Sequence, residues 1–398
     1  MHYIVLAFLA LGGLLPIAST AQTLKDAVDG AWARQPLARG VAARHELFRA
    51  RHDAADALFP APPSIGFSHR SDQIDRNRGA RELGSEVAFP LWTSGAKIRG
   101  IELVGAERSR FDAEIVAAQW RVAGDVRDSL WQARLSENDR AVATGKLAAA
   151  RLLADDVARR VSAGDLAPVD AHLANAAVQL AAASLLAAEG RLARAMQQFR
   201  LLTGLARLPE DLEEPRIDIP ALDAHPELVA NTRLIEAARA RLSQVSTVTR
   251  DPPELAVGVW SERVQSGERG DLSLHVGVRI PFGTDARNRP RIAEANAELI
   301  VASAELDITR QKLESEMTNA RAALDTARAL ETVAAERSRL ADESHALYER
   351  AFKLGELDLP ARLRAENERF DAEIALGRAR TEIGHAIARF NQSLGLLP

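Results

Sequence analysis

The chain has 398 residues, 47% of them hydrophobic, enough for a sizeable core. Its 51 Lys and Arg against 55 Asp and Glu leave a formal net charge of −4, without the basic excess that phosphate backbones attract, so nothing points to a nucleic-acid partner. It contains no cysteine, which removes disulfides, thiolate metal sites, a Cys nucleophile and a lipid-modified N-terminal cysteine.

The chain opens with MHYIVLAFLALGGLLPIASTAQ, an apolar run from Ile4 to Ile17 followed by small Ser19 and Ala21, the pattern of a secretory signal peptide over residues 1–21. The alternative, an uncleaved anchor, is disfavoured because the run falls short of the ~20 residues a spanning helix needs. A first unit, residues 22–205, then reads as a helix over about 24–58 ended by Pro60, Pro62 and Pro63, because proline cannot continue a helix. Two strands follow, Ser64 to Arg70 and Arg81 to Trp92, making a hairpin over about 64–92. A helix of about 70 residues leads to a turn at Gly164, and a return helix of about 35 completes the unit.

After a linker at 206–225 the pattern repeats over residues 226–398. A helix at 226–249, a break at Pro252 and Pro253, and strands Glu254 to Val264 and Asp271 to Phe282 form the second hairpin. Another long helix, a turn at Gly355 and a return helix follow. The repeat is visible in the letters: Pro90 and Pro281, Gly164 and Gly355, and Phe199 and Phe390 all lie 191 residues apart. Three anchors with one spacing, in matching structural roles, point to a duplicated chain.

At ~1.5 Å per residue the long helix reaches ~105 Å, which survives only by packing along its length. Val333, Leu340, Leu347 and Leu354 recur every seventh residue, as do Leu299, Leu306 and Leu313, continued by Ala320 and Ala327; this is the coiled-coil period. The lead and return helices of each unit are long enough to stack end to end beside one long helix.

The strand Asp271 to Phe282 alternates strictly, with Leu272, Leu274, Val276, Val278, Ile280 and Phe282 on one side and Ser273, His275, Gly277, Arg279 and Pro281 on the other. A small soluble β-domain is one explanation. Against it, the hairpins are far apart in sequence, and an isolated hairpin is marginal in water. As membrane strands they have adequate length, and Phe67, Phe89, Trp92, Trp260 and Phe282 suit an interfacial girdle. Four strands cannot close a barrel, so several copies would have to pool them. Glu82, Glu86, His275 and Arg279 are then the candidates for the lumen side, tuning ion passage without tight binding.

The segments TLKDAVDGAWARQPLA, FPLWTSGAKIRGIELVGAE and IPFGTDARNRPRIAEANAE, with the paired Gly turns, resemble the TolC-type outer membrane efflux family, and the strand-to-helix junction resembles its heavy-metal branch, for cobalt, zinc, cadmium and copper. The resemblance covers essentially the whole mature chain. It implies a mainly α protein with a small β part: a long α-helical coiled-coil barrel and four transmembrane strands per chain, completing a 12-stranded barrel in a homotrimer. It also implies a Gram-negative outer membrane location with a long periplasmic extension, and a passive exit duct for heavy-metal cations. The implied partners are outer membrane lipid, a periplasmic adaptor and an inner-membrane proton-driven pump of the RND type. Its adaptor-contact sites fall on the hairpin tips, here Gly164, Asp165, Leu166 and Gly355, Glu356, Leu357; the plainer reading of these residues is a helix-ending turn with Gly left-handed. Drug or organic-molecule export by the same family, and a soluble periplasmic coiled-coil structural or adaptor protein, are the alternatives.

Catalytic signatures are lacking. Gly145 and Lys146 have no preceding P-loop glycine, and Leu147 stands where Ser or Thr would bind magnesium. No G-x-S-x-G elbow occurs. His45 and His52 lie about 10 Å apart along a helix, too far to share a zinc ion. Adjacent Asp155 and Asp156 point to different faces. Neither an enzyme nor a cofactor or resident metal is expected.

Overall fold

A computed structural model describes residues 23–210, 214, 215, 217, 222–283 and 285–398. The signal-peptide expectation for 1–21 falls outside them. The elements are α1 (Leu24–Arg34), α2 (Pro36–Ala55), β1 (Ser64–Ser71), β2 (Arg81–Pro90), α3 (Ala96–Ala163), α4 (Pro168–Thr203), α5 (Pro226–Thr247), β3 (Glu254–Arg263), β4 (Asp271–Arg279), α6 (Asp285–Lys353) and α7 (Leu359–Ser393).

Where one helix was expected at 24–58, there are two. Gln35 is extended (φ −67°, ψ 138°) because the ring of Pro36 disfavours helical backbone in the residue before it, and Pro36 then opens α2 as its first residue. The strands also stop earlier than expected, β2 at Pro90 and β4 at Arg279, so Trp92, Ile280, Pro281 and Phe282 lie beyond the ladder.

The long helices have 68 and 69 residues. α3 packs on α2 and α4 on one side and on α5 and α7 on the other, and α6 packs on α5 and α7. Four columns result: α2 and α4 in one, then α3, then α5 and α7 in one, then α6. The sheet has the order β1-β2-β3-β4, antiparallel throughout. Each strand is chained to one column, β1 after α2, β2 before α3, β3 after α5 and β4 before α6. Strand order and column order are therefore the same.

The stacked columns are joined at mid-height. Just past the end of α7 lies Gly395 (φ 80°), where a side chain would run into Pro226, the first residue of α5. Trp120 of α3 donates its indole N–H to the Gln392 carbonyl at 2.8 Å, and the Gln392 amide donates back to the Trp120 carbonyl at 2.8 Å. Buried Arg127 gathers the rest: its guanidinium makes two bonds to the Glu214 carboxylate, at 2.8 and 2.6 Å, one to the Leu396 carbonyl at 3.0 Å, and one to the Gln392 side chain. Beside this knot lie Val122, Val126, Leu130, Trp131 and Phe199, the largest core cluster.

His225 caps α5 by accepting from the Glu227 N–H through Nδ1, with its ring edge-on to Trp120 at 4.7 Å. It is 2% exposed, and burial pushes its pKa from 6.5 down to about 4. Between those values the unfolded chain binds a proton that the folded one refuses. The stability this cap contributes is therefore full above about pH 6.5 and is lost at up to about 1.4 kcal/mol per pH unit as pH falls toward 4. Thermal midpoints in detergent should show this loss for the parent chain and a flatter profile for His225→Asn, which keeps a capping side chain without a titratable ring; equal slopes would contradict it.

Candidate functional site

Side chains alternate across a strand, so the ladder registers sort the sheet into two faces. Phe67, Leu83, Val87, Leu255, Val257 and Val259 share one face with Leu272, Leu274, Val276 and Val278. This face is apolar and uncovered; Leu274 is 71% exposed.

The other face is polar and carries all four candidate residues. One row across the strands aligns Glu86, Gly258 and His275; another aligns Arg70, Glu82, Glu262 and Asp271. Arg279 stands opposite Glu254 and pairs with it at 3.2 Å. With that pair set aside, Glu82, Glu86, Glu262 and Asp271 face a single guanidinium, Arg70. Trp260 corrects an expectation, because it lies on this polar face and not in an outer girdle. Its indole lies over Gly84 and Gly258, where a Cβ would come within 2.4 and 2.3 Å of the ring, and it stacks near His275 at 4.3 Å. Sequence reading missed Arg70, Glu254, Trp260, Glu262 and Asp271, although the two-residue spacing in ELAVGVWSER carried the signal.

At the opposite end the two turns use one motif. Gly164 (φ 86°) donates to the Val161 carbonyl and Asp165 to that of Arg160, at 3.1 and 2.9 Å; Gly355 (φ 77°) donates to Phe352 and Glu356 to Ala351, at the same distances. Asp165, Leu357 and Glu356 are exposed, whereas Leu166 turns inward onto the cluster of Leu153, Val157, Ala174, Phe352 and Leu359. Of the two leucines matched at the tips, only Leu357 is exposed.

Phe352 holds the tips together. It is buried among residues of α3 and α4, and the guanidinium groups of Arg160 (α3) and Arg362 (α7) each lie 5.1 Å from its ring. Nearby, burial, and then the Arg369 guanidinium, hold the His345 pKa below its ordinary value. Elsewhere His45 bonds Asp112 at 3.0 Å and Asp156 pairs with Arg160 at 3.2 Å, so these residues are engaged in surface contacts. Among the described residues no group of three or more His, Asp or Glu is placed to hold a metal ion.

The fold, a narrow antiparallel sheet with one apolar face continued by four helical columns, is that of solved outer membrane channels. The solved transmembrane channel CusC superposes with a TM-score of 0.75 at 16% identity, over 94% of this chain and 92% of that one. The CmeC outer membrane channel of Campylobacter jejuni gives 0.74 at 12%, over 94% and 85%. In sequence, the chain is 27% identical over 236 residues to the cobalt-zinc-cadmium resistance protein CzcC of Cupriavidus metallidurans, covering 56% of this chain. That alignment spans about half of the relative, 54% of its length. No protein-family model matches the chain.

Removing the clamp ring should loosen the tips. Phe352→Ala is expected to cost about 3–5 kcal/mol locally, read as faster amide exchange around Gly164 and Gly355 with unchanged exchange in the strands. Unaltered tip exchange would show that the ring does not join the two hairpins.

Proposed function

We propose that the chain is the outer membrane duct of a tripartite efflux system, a homotrimer whose pooled strands form a 12-stranded barrel and whose columns form a periplasmic tunnel. The observation that carries this reading is the two-faced sheet with both edges, β1 and β4, unpaired. The apolar face suits lipid, the polar face suits a lumen, and the open edges require further strands. A periplasmic adaptor engages the hairpin tips at Asp165, Glu356 and Leu357, and an inner-membrane RND-type pump supplies the driving force that a passive duct lacks.

Heavy-metal cations are the proposed cargo. Kinship with a cobalt-zinc-cadmium resistance protein supports this choice, and so does the excess of carboxylates over guanidinium groups on the polar face, which favours cations within a lumen. Glu82, Glu86, Glu262, Asp271 and His275 guide ions electrostatically, with the pump making the choice among metals.

Purified protein in a planar bilayer should give discrete conductance with a cation-preferring reversal potential. Glu82→Gln, Glu262→Gln and Asp271→Asn together should move that potential toward zero, more at low than at high salt. A chain that stays a water-soluble monomer would rule out the duct. Deleting the gene should lower tolerance to zinc or copper and leave tolerance to dyes and antibiotics intact; the opposite pattern would assign an organic cargo.

A further inference from the structure

The two hairpins meet where β2 pairs with β3, and at the loop end of that pair the ladder sets like charges side by side. Arg81 stands opposite Arg263, and Glu82 opposite Glu262. Directly opposed like charges destabilise a sheet, and the register that creates them is fixed by the apolar alternation of the same strands. Neighbours along a strand point to opposite faces, so the guanidinium groups go to the apolar face and the carboxylates to the polar one. Charge at this rim is sorted by face.

The outermost row of the apolar face is Ser71, Arg81 and Arg263, and the next is His69, Leu83, Ser261 and Leu272. No Asp or Glu of the four strands shares this face. Leu83 to Phe89 covers ~20 Å of strand, comparable to the ~25 Å apolar band of outer-membrane barrels, and the arginine row stands ~7 Å beyond it. At the opposite rim of the band Phe89 packs on Phe59, with ring centroids 5.5 Å apart. Rings thus mark the rim toward the helices, and guanidinium groups the rim toward the loops.

Neither arginine is neutralised. Arg81 is exposed and forms no ion pair with any described residue. Arg263 is half-buried and donates through Nε and Nη2 to the Gly79 carbonyl at 3.3 and 3.2 Å, which fixes its guanidinium and leaves further N–H groups open. Nearby carboxylates are otherwise engaged: Asp72 accepts the Arg78 backbone N–H at 2.7 Å, and Asp75 lies 3.8 Å from Arg76. The two loops brace one another, because the Ser266 N–H donates to the Arg78 carbonyl at 2.9 Å.

We infer that Arg81 and Arg263 together bind the phosphate of an outer-leaflet lipid headgroup. Two guanidinium forks side by side match phosphate oxygens, and an anion between them removes the repulsion that the ladder imposes. The occupant is a lipid and not a soluble anion, because the same face continues from the pair as exposed apolar surface, Leu83 at 57% and Leu272 at 76%, against which acyl chains lie. Both arginines stand on the two central strands, away from the open edges of β1 and β4, so each copy holds a complete site. This inference rests on the barrel proposed above and adds a lipid that its outer wall selects.

The probe is diphosphoryl lipid A, with its dephosphorylated form as the control. Native mass spectrometry of the detergent-purified trimer should show one lipid per chain, and Arg81→Gln with Arg263→Gln should bind at least about tenfold more weakly. Arg76→Gln, in the loop, should bind as the parent does. Equal binding by the parent and the double variant, or of the dephosphorylated lipid, would overturn the site. Inorganic phosphate at equal concentration should leave the lipid bound; displacement would assign the pair to a soluble anion and overturn the lipid. Since the pair faces outward, the double variant should keep the parent's conductance and reversal potential, and a shifted potential would place the arginines in the lumen. A conducting trimer without phosphate-dependent lipid binding removes the site and leaves the duct; a water-soluble monomer removes both.

Discussion

Everything in this molecule answers to the unmet hydrogen-bonding groups at the two edges of one narrow sheet. In water a free edge is a liability; in hydrocarbon each open N–H or C=O costs several kcal/mol, so the ladder has to continue until it meets itself. A sheet of four antiparallel strands presents edges of opposite direction, and another copy of the same sheet extends it without changing the alternation. In the proposed barrel the apolar face, from Phe67 to Val278, is the outside and the polar face, with its carboxylates, the inside.

In the proposed duct the helices carry the same closure into water. Because strand order equals column order, each strand hands the chain to the column beneath it, and no column needs to cross another. The two long helices set the height, and the shorter helices match it by stacking. Where α7 ends against α5, a carbonyl-rich helix end meets the N–H-rich start of the next, and the dipoles continue through the joint. Trp120, Gln392, His225 and Arg127 satisfy what the joint leaves open, so the largest cluster of buried polar and aromatic side chains sits at mid-height and not at either functional end.

Much of this was legible in the letters because the signals are periodic. The offset that relates Gly164 to Gly355 marks two turns that prove identical down to their hydrogen bonds, and the alternation in DLSLHVGVR gave both faces of β4. What stayed hidden depends on neighbours that periodicity does not name. The break at Gln35 comes from a single proline ring. Trp260 reads as a girdle residue by type, but the parity of its position places it with Glu86 and His275, and two glycines on neighbouring positions make room for its ring. Leu166 and Leu357 follow equivalent glycines, yet only one finds a hydrophobic cluster beside it.

The heptads make the same point about what a single chain can satisfy. A seven-residue period announces that a helix face will be buried, not by whom. On α6 the first heptad series is covered, with Leu313 and Ala327 buried, whereas Val333, Leu340, Leu347 and Leu354 are left bare. Small residues let columns of one chain approach closely and hold them at a nearly fixed spacing.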